Sequence, residues 1–523
     1  MYWCKIAQTE HEFDEIAKLN YETFVEEIPQ HEPNPSGRRV DAFHHENMYL
    51  IVLKDEELVG MVAFRDIRPF SLDKKIGPVE KLLPADALLG KLCEVRLLAV
   101  KKEHRNGRVF FMLTRALIDY AYENGYGAAV ISGTVREEKL YMQMGFEAFS
   151  EPVGTDDAKF IPMVLTTERY EKSLAGRFKQ RRYSFYPGPV QLTEDIQAPL
   201  LKTPVSHRSY SFSRTIGQVR SKLEVLSGAR YAHLLLGSGT LANEAMIAQL
   251  TKLSGRGLIV TNGAFGERLQ KQAERWHLEH DWLRYDWGQS FNEAELDSIL
   301  KQSDFEWLLM AHGETSTGML NNLEMVQSLC EIYNVKLCTD CVSSFGTYRF
   351  SMEKVFIATA VSGKAVGTMS GIAVVFSNHV IAKNEQLPSY IDLGNYSNHN
   401  IPFTYPAQLM ESFNNALLAY TEGNRYDLLQ TRYKKLQQAA TDGDFTFLTT
   451  EGYPMIVTLK ADESLTSMAD AAAMNGFHLH YESTYLKERG WVQISIIQPD
   501  FDEAWERFKK WYSKYKEYRK IKC

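Results

Sequence analysis

The hydrophobic pattern divides the first third of the chain into distinct elements. Residues 48–53 and 58–64 are two apolar runs, and the charged stretch 54–57 separates them. Two apolar runs joined by a short polar turn are typical of a β-hairpin. Residues 93–100 form another mainly apolar run, so the sequence predicts a third strand there.

A helix is predicted after the turn at residues 101–107. Apolar residues then recur at three- and four-residue intervals along one helical face: Val109, Met112, Leu113, Ala116, Leu117 and Tyr120. Such spacing indicates an amphipathic helix, and Gly125 is a suitable stop. A strand at 128–132 and a short helix at 137–146 are predicted to follow.

This order of strand, turn, helix, strand and helix, over roughly residues 5–165, resembles the GNAT acyltransferase superfamily. In that superfamily the turn before the long helix offers backbone N–H groups and the positive end of the helix dipole to the pyrophosphate of an acyl carrier. The resemblance implies that acyl-CoA or an acylated carrier protein binds at Gly107. His104 and Val109 depart from the family's turn, and Val109 is expected to crowd the phosphate.

Two residues of this region are candidates for acyl-transfer chemistry. The resemblance implies that Tyr141 protonates the departing thiolate and that Glu94, on the adjoining strand, acts as the base. The alternatives are a packed tyrosine and a strand-end ion pair, in a domain that serves only as a docking module or scaffold. Residues 21–28, with Glu94 and Arg96, also resemble GNAT relatives that take long acyl chains from carrier proteins.

The first candidate binding site in the remaining two-thirds of the chain is a strand–turn–helix unit. Residues 232–236 predict a buried strand, the turn 237–240 reads Gly-Ser-Gly-Thr, and residues 241–250 predict a helix. Glycines let an anion approach the backbone, and hydroxyl and N–H groups at a helix start bind it. The unit therefore predicts an anion-binding turn.

Two further predicted strands deliver charged residues at their ends. Residues 334–339 lead to Asp340, and residues 356–361 lead to Lys364, which lies between two small residues. A lysine that is to form a Schiff base must lose its proton readily, and a partly desolvated pocket promotes this. An acid at a strand end suits the ring nitrogen of pyridoxal phosphate (PLP), because it keeps the ring protonated and electron-withdrawing.

Together with the segments 186–189, 207–209, 262–268 and 314–318, these features resemble the class V aminotransferases of fold type I, from about Ser184 onwards. Within that family the chain is most similar to 2-aminoethylphosphonate–pyruvate transaminase and the alanine– and serine–glyoxylate enzymes. The resemblance implies PLP as the cofactor, a small amino donor and keto acceptor, and a homodimer with the active site at the subunit interface.

The resemblance also implies a role for each motif residue. Lys364 holds the cofactor, Asp340 pairs with its ring nitrogen, and Phe265 stacks on the ring. The remaining implied contacts are Ser238, Gly239 and Thr240 on the phosphate, Tyr390 and Thr404 on the same phosphate from the neighbouring subunit, and Thr317 near the ring hydroxyl.

One position near the end of the chain departs from the family. The family places an arginine there that clamps the substrate carboxylate with two hydrogen bonds, whereas this chain has Gln493. An amide lacks the charge of a guanidinium group. We therefore expect His207 and Arg208 to take part in substrate binding, since related enzymes use such a pair on substrate anions. Arg349 and Arg489 are further candidates.

Composition sets the wider limits on function. With 44% hydrophobic and 24% charged residues the chain has the profile of a globular protein, and a net charge of -7 argues against nucleic acid as the main partner. Six cysteines are scattered without CxxC pairing, so neither a metal site nor a disulfide scaffold is expected. No signal peptide or membrane span is evident, and a cytoplasmic location is expected.

The expected architecture is α/β throughout. A GNAT-like mixed sheet with helices covers residues 1–170, and a connector covers 171–183. A fold type I PLP-dependent transferase follows, with a large α/β domain at 184–405 and a small α+β domain at 406–523. Aromatic residues at helical spacing from Phe501 onwards favour a closing helix of the small domain over a membrane-surface helix.

The resulting hypothesis is a PLP-dependent aminotransferase that acts on a small amino compound and a keto acid or aldehyde, fused to an N-acyltransferase that acylates the amine. One alternative is a PLP-dependent lyase, decarboxylase or desulfurase. A desulfurase requires a mobile cysteine, whereas Cys330, Cys338 and Cys341 lie on or beside a predicted strand. The other alternative leaves the front domain as a carrier-docking or scaffold module.

Overall fold

A computed structural model of the 523-residue chain describes residues 2–28, 31–55, 57–105, 107–154, 159–173, 176, 181–397, 401–460, 465–473 and 475–520. The chain divides into two compact units. The first contains Met1–Arg182 with Asp470–Gly476 and Lys514–Cys523, and the second contains Tyr183–Ala469 and Phe477–Ser513. The bounds 1–170, 171–183, 184–405 and 406–523 stay proposals, and part of the expected connector lies outside the described residues.

The first unit is built on one mixed sheet. Its strands are β1 (Tyr2–Ile6), β2 (Met48–Lys54), β3 (Glu57–Arg65), β4 (Lys91–Val100), β5 (Tyr126–Thr134), β6 (Glu147–Ala148) and β7 (Phe160–Thr166). Its helices are α1 (Glu10–Tyr21), α2 (Asp73–Ile76), α3 (Arg108–Glu123), α4 (Glu138–Gln143) and α5 (Thr167–Lys172). The seven strands are ordered β1-β2-β3-β4-β5-β7-β6.

The hydrophobic pattern predicted most of this unit correctly. The hairpin is confirmed, because β2 and β3 pair antiparallel from Met48 and Phe64 to Lys54 and Glu57. Helix α3 packs the predicted apolar face against the sheet, with Val109 fully buried. The helix expected at 137–146 is shorter in the structure, since α4 ends at Gln143 and the chain then turns.

The second unit contains the remaining elements. Its strands are β8 (Tyr183–Ser184), β9 (Tyr231–Gly237), β10 (Gly257–Thr261), β11 (His280–Arg284), β12 (Trp307–Ala311), β13 (Gly313–Glu314), β14 (Met319–Leu320), β15 (Lys336–Asp340), β16 (Ile357–Val361), β17 (Gly371–Ser377), β18 (Ile456–Leu459), β19 (Phe477–His478) and β20 (Val492–Ser495). Its longer helices are α7 (Tyr210–Ser227), α8 (Gly239–Leu250), α9 (Ala264–Arg275), α10 (Glu293–Gln302), α11 (Leu323–Ile332), α12 (Ala407–Thr421) and α13 (Arg425–Thr441). The other helices of this part of the chain are α6 (Glu194–Gln197), α14 (Leu465–Ala473), α15 (Thr484–Lys487) and α16 (Phe501–Lys520), of which α14 and α16 extend into the first unit.

A seven-stranded sheet forms the centre of the second unit, in the order β11-β10-β12-β15-β16-β17-β9. Only β17 runs antiparallel to its neighbours, β16 and β9. Its inner strands are buried along their whole length, as expected for a parallel sheet covered on both faces. The parallel strands therefore end at one common edge, where ligands bind in open α/β sheets.

The aromatic residues of α16 close a second, smaller core. Phe501, Trp505 and Phe508 are fully buried, and Phe508 packs against Phe185 and Phe477 of the same unit. This packing agrees with the closing helix expected from the sequence. In the part of the chain that the structure describes, none of the helices combines the length and hydropathy that a membrane span requires.

Candidate active site

Lys364 lies in the loop that follows β16, at the common edge of the sheet. It begins a short 3₁₀ turn with a left-handed backbone (φ of 56°), a conformation that costs a non-glycine residue on the order of 1–2 kcal/mol. Burial lowers the pKa of its amine to about 8, and the charge of Arg268 acts in the same direction. A cavity of about 500 Å³ opens over this lysine, lined on the other side by residues 187–190.

Asp340 ends the neighbouring strand β15 and is held by two donors. Its Oδ2 accepts a hydrogen bond of 2.7 Å from Nδ2 of Asn243, and its Oδ1 accepts one of 2.8 Å from the backbone N–H of Val342. Asn243 is itself oriented by the hydroxyl of Thr359, at 2.7 Å. Burial raises the pKa of Asp340, while Lys364 and Arg268 act to lower it. A buried carboxylate of this kind needs a cation nearby to stay ionised.

The anion-binding turn predicted from the sequence lies at the start of α8. Ser238 is the residue that caps this helix, and its hydroxyl makes no capping hydrogen bond, which leaves it for a ligand. Gly239 is required here because a Cβ atom would lie 2.8 Å from a methyl group of Val342. Ser238 and Thr240 are both exposed. The turn is thus packed against the loop that follows Asp340.

Tyr390 reaches the same turn within one chain. Its hydroxyl donates a hydrogen bond of 2.9 Å to the carbonyl oxygen of Leu236, at the end of β9. The sequence interpretation assigned Tyr390 and Thr404 to the phosphate site of the neighbouring subunit. Thr404 is exposed, and that assignment stays a prediction.

Glu314 is a buried acid whose role the sequence did not reveal. Its carboxylate accepts hydrogen bonds from the backbone N–H groups of Phe265 (3.1 Å) and Gly266 (2.9 Å) and from the hydroxyl of Ser316 (2.5 Å). The hydroxyl of Thr317 donates to its backbone carbonyl at 3.3 Å. Glu314 thereby fixes the loop that presents Phe265. Only its position in the 314–318 motif pointed to it.

The side chain of Gln493 makes several hydrogen bonds within the protein. Its amide donates to the carbonyl oxygen of Thr315 (2.7 Å) and to the hydroxyl of Thr458 (2.8 Å). Its Oε1 lies 2.9 Å from Nδ1 of His480, whose pKa is lowered by burial and also by the charge of Lys364. Both amide N–H groups are used within the protein. These hydrogen bonds give Gln493 a supporting role next to His480, and a direct contact of Gln493 with the substrate stays a prediction.

His207 and Arg208 occupy the loop before α7, where Arg208 is exposed and its backbone N–H donates to the hydroxyl of Ser206. Among the described residues of one chain, no hydrogen bond or ion pair joins either residue to Lys364 or Asp340. Their substrate role stays a prediction that depends on a second subunit.

Arg268 is the cation that the sequence interpretation missed. It lies one turn beyond Phe265 on α9, and its guanidinium group is 4.7 Å from the centre of the Phe265 ring. Its charge lowers the pKa of both Asp340 and Lys364. It belongs to the 262–268 segment, yet nothing in the sequence marks which of the many arginines faces the site.

In the first unit, a cleft forms where β4 and β5 separate. The two strands pair in parallel as far as Val95 and Ile131, and each continues beyond that point. The cleft has a volume of about 120 Å³, and its lining includes Tyr141 and Ser132. Burial raises the pKa of Tyr141, so its hydroxyl keeps its proton at neutral pH, as an acid must.

Glu94 is occupied by other contacts. Its carboxylate accepts hydrogen bonds from the N–H (2.8 Å) and hydroxyl (2.6 Å) of Ser71 and from the N–H of Leu72 (3.0 Å). These contacts anchor the loop that follows β3. Since Val95 and Arg96 line the cleft while Glu94 points to this loop, the base role of Glu94 has no support in its geometry and stays a prediction.

The turn before α3 differs from expectation at one residue. Gly107 adopts a left-handed backbone (φ of 83°) at the start of the helix, with no side chain capping it. Val109 is fully buried and packs on Gly60, where a Cβ atom would lie 2.5 Å from a Val109 methyl group. Its side chain therefore points into the core, and the expected crowding of a phosphate by Val109 is wrong. His104 is buried too, and its Nδ1 lies 2.8 Å from the hydroxyl of Tyr2.

Both units match known families. Residues 19–115 match the family described as "Acetyltransferase (GNAT) domain", and residues 199–395 match "Aminotransferase class-V". A 2-aminoethylphosphonate–pyruvate transaminase of Pseudomonas fluorescens is 32% identical over 42% of this chain and 62% of its own length. The "Soluble hydrogenase 42 kDa subunit" of Anabaena cylindrica is 28% identical over 58% of this chain and 81% of its own.

A solved structure shares the fold of the second unit. The alanine–glyoxylate aminotransferase of Nostoc sp. has a TM-score of 0.57 and 23% identity, covering 62% of this chain and 93% of that one. Within the second unit, residues 199–395 therefore form a domain of the class V aminotransferase type, and the fold is that of the solved aminotransferase. More particularly, a match to a GNAT domain precedes it in the same chain, over residues 19–115.

The site residues fit the PLP that this class uses. Lys364 offers a buried amine with a lowered pKa, and Asp340 offers a carboxylate whose ionisation needs a cationic partner. The turn at Ser238 leaves a hydroxyl and helix-start N–H groups for a phosphate, and Gly239 keeps that turn close to Val342. The individual roles that the sequence resemblance implied for these residues stay predictions.

Proposed function

We propose that the chain is a bifunctional enzyme. Its class V unit transfers an amino group between a small anionic amino compound and a keto acid or aldehyde, and its GNAT unit acylates an amine on nitrogen. The buried Lys364 amine, whose pKa is influenced by the charge of the anchored Asp340 carboxylate, carries the first part of the proposal. A cytoplasmic location and a homodimer belong to the same proposal.

Each residue of the aminotransferase site has a proposed task. Asp340 would hold the ring nitrogen, Phe265 would pack on the ring face, and Lys364 would hold the cofactor through its aldehyde group. Ser238, Gly239 and Thr240 would hold the phosphate, with Tyr390 and Thr404 beside them, and Thr317 would lie near the ring hydroxyl. Bound PLP supplies an electron-withdrawing ring that weakens the C–H bond at the amine-bearing carbon of the substrate.

Lys364 then acts as the proton carrier of the site. With its pKa near 8, its amine is neutral in a substantial fraction of molecules at physiological pH. A neutral amine could take the proton from the amine-bearing carbon of the substrate and would deliver it to the cofactor carbon that had carried the aldehyde. The charge of Asp340 depends on the cations near it, Lys364 and Arg268, while Asn243 and the Val342 N–H group orient the carboxylate.

We propose that the acid group of the substrate binds the guanidinium group of Arg268. The family's arginine is replaced by Gln493, whose amide N–H groups are used within the protein. Arg268 lies beside Phe265, and its positive charge acts to lower the pKa of both Lys364 and Asp340. Guanidinium groups bind carboxylate and phosphonate groups alike, so a compound such as 2-aminoethylphosphonate suits the site.

His207 and Arg208 remain candidates for a contribution from the partner subunit. Leu201 and Tyr210, which flank them, are each 85% exposed in the single chain. Large apolar side chains left exposed around a functional segment are typical of an interaction surface. A homodimer that covers this surface would bury both residues.

Acyl transfer is proposed for the GNAT unit, with acyl-CoA or an acylated carrier protein as the donor. The amine nitrogen attacks the thioester carbonyl carbon, a C–N bond forms and the C–S bond breaks. The nitrogen releases its proton to solvent, and the departing thiolate takes the proton of the Tyr141 hydroxyl. The cleft at Tyr141 supports this function over a scaffold role.

The desulfurase alternative receives less support. Cys330, Cys338 and Cys341 are all buried, and burial raises the pKa of each thiol. A thiol must ionise to act as a nucleophile, so none of the three is suited to that chemistry.

The test of the aminotransferase is a half-reaction. Purified PLP-loaded protein is mixed with 2-aminoethylphosphonate, alanine or serine, and the loss of the PLP absorbance is followed while mass spectrometry identifies the carbonyl product. A stoichiometric carbonyl product with pyridoxamine phosphate supports amino transfer. Loss of carbon dioxide from alanine or serine would instead support a decarboxylase, and loss of sulfur from cysteine, tested in parallel, would support a desulfurase.

A further inference from the structure

The loop that carries Lys364 is strained and mostly buried. Lys364 has a left-handed backbone, and Ala365 and Val366, which follow it, are buried. The turn closes through a hydrogen bond of 3.1 Å from the N–H of Gly367 to the carbonyl oxygen of Lys364. A strained backbone of this kind persists only where the surrounding structure holds it. The contacts of this loop therefore determine where the amine of Lys364 lies.

Helix α12 contacts the loop through the hydroxyl group of Tyr420, a buried residue. This hydroxyl donates a hydrogen bond to the carbonyl oxygen of Ala365, the residue after Lys364. The same hydroxyl packs against Gly346, in the loop after Asp340. A Cβ atom at Gly346 would lie 2.9 Å from the Tyr420 hydroxyl oxygen, and the φ of 81° at this position also favours glycine. Tyr420 thus contacts the loops that follow both charged residues of the site.

A second contact connects the same loop to α12. The hydroxyl oxygens of Thr368 and Ser412 lie 2.7 Å apart, and Ser412 donates its own proton to the carbonyl oxygen of Ile196 at 2.8 Å. Thr368 is therefore the donor to Ser412. Ser412 lies eight residues before Tyr420, which is about 12 Å along an α-helix. Two contacts this far apart restrain the loop against rotation as well as displacement.

We propose that Tyr420 and Ser412 are positioning residues for Lys364, and that from α12 they hold its loop where the amine reaches cofactor and substrate. Tyr420 acts through Ala365, and Ser412 acts through Thr368, which lines the cavity over the lysine. The inference rests on the aminotransferase function proposed above, in which Lys364 holds the cofactor and carries the proton. Both tasks require an exact position of the amine nitrogen, because small misplacements of a reacting group greatly reduce the rate.

Hydrogen–deuterium exchange of the cofactor-free protein tests the hold on the loop. Tyr420→Phe removes the hydroxyl group and keeps the ring, so exchange in the peptide 362–370 should become about tenfold faster, because a loop with fewer contacts opens more easily. Ser412→Ala should act in the same direction. Tyr285→Phe is the matched control, since it removes the hydrogen bond of another buried tyrosine, to Glu295, and should leave this peptide unchanged. Exchange at the wild-type rate in both loop variants would overturn the proposal.

The half-reaction of the PLP-loaded protein tests the consequence for catalysis. The donor is the one that reacts fastest with the wild-type protein among 2-aminoethylphosphonate, alanine and serine. In Tyr420→Phe and Ser412→Ala the maximal rate should fall on the order of tenfold or more, because the amine is misplaced. The donor concentration that gives half this rate should stay unchanged. A merely structural role would lower the melting temperature and leave the maximal rate intact, and that result would overturn the positioning role.

Borohydride labelling separates this result from failure of the proposed function. If the wild-type protein carries a pyridoxyl group on Lys364 and both variants react at its rate, only the positioning role is wrong. A wild-type protein without that label would overturn the aminotransferase function itself, whatever the exchange rate of the loop. If Tyr420→Phe fails to fold, Ser412→Ala decides the proposal by the same two measurements.

Discussion

The side chain of Asn243 donates a 2.7 Å hydrogen bond to Oδ2 of Asp340, and thereby connects helix α8, which begins at the predicted anion-binding turn, to the strand that ends at the acid. This contact orients the carboxylate without neutralising it. Burial alone raises the pKa of Asp340, so its charge depends on the cations around it. Orientation and charge at this position can be separated experimentally.

Asp340→Asn should slow the half-reaction severely while the protein still folds and binds PLP. Loss of one such electrostatic contact typically costs on the order of 10²–10³ in rate. Stopped-flow absorbance with 2-aminoethylphosphonate measures the effect, and an unchanged melting temperature is the control for folding. A variant with normal turnover would show that Asp340 does not act on the ring nitrogen.

Lys364 should be the residue that carries the cofactor. The purified protein should absorb in the visible range, and borohydride reduction should leave a pyridoxyl group on the Lys364 peptide, identified by mass spectrometry. Lys383, on a loop of the same unit, is a suitable comparison peptide. A label at another lysine, or no label at all, would refute the assignment.

The lowered pKa of Lys364 predicts an unusual pH dependence. Because the neutral amine is the reactive form, the rate at which cofactor-free protein captures PLP should rise about tenfold per pH unit below pH 8 and level off above it. An ordinary lysine would continue to gain reactivity up to about pH 10.4. Stopped-flow absorbance at several pH values distinguishes the two profiles.

Arg268, Arg208 and Gln493 should differ in their effect on substrate binding. Arg268→Ala should raise KM for an anionic amino donor by about tenfold or more, in line with roughly 1.5–3 kcal/mol for a charged hydrogen bond, with a smaller effect on a neutral amine. Gln493→Ala should mainly lower the melting temperature, because it removes buried hydrogen bonds. A larger effect of Arg208→Ala than of Arg268→Ala would place the substrate anion at the 207–208 loop.

Tyr141→Phe should slow acyl transfer without weakening donor binding. The variant keeps the aromatic ring that packs near Phe146 and removes only the acidic hydroxyl. The rate is measured by thiol release and the affinity by calorimetry with the same donor. An equal loss of both would give Tyr141 a binding role, and no loss of either would leave the scaffold interpretation for this unit.

The sequence predicted the secondary-structure elements, and the candidate residues marked by their sequence neighbours, better than it predicted contacts between distant parts of the chain. Lys364 could be identified because its small neighbours and its strand are adjacent in the sequence. Val109 was misjudged because its direction depends on Gly60, which lies far from it in the sequence and admits its side chain to the core. Glu314 and Arg268 were passed over because their partners are set by tertiary structure. Long-range contacts of this kind leave no local pattern to read.

The contacts of Gln493 constrain how this enzyme can evolve. Once the amide at this position donates to Thr315 and Thr458, its neighbours depend on a neutral, two-proton donor. Introducing the family's arginine at this position in a single step would place a bulky cation among those acceptors and disturb His480 as well. A return to carboxylate recognition through this strand therefore requires several coordinated replacements. Drift at position 493 is restricted even though the residue need not touch the substrate.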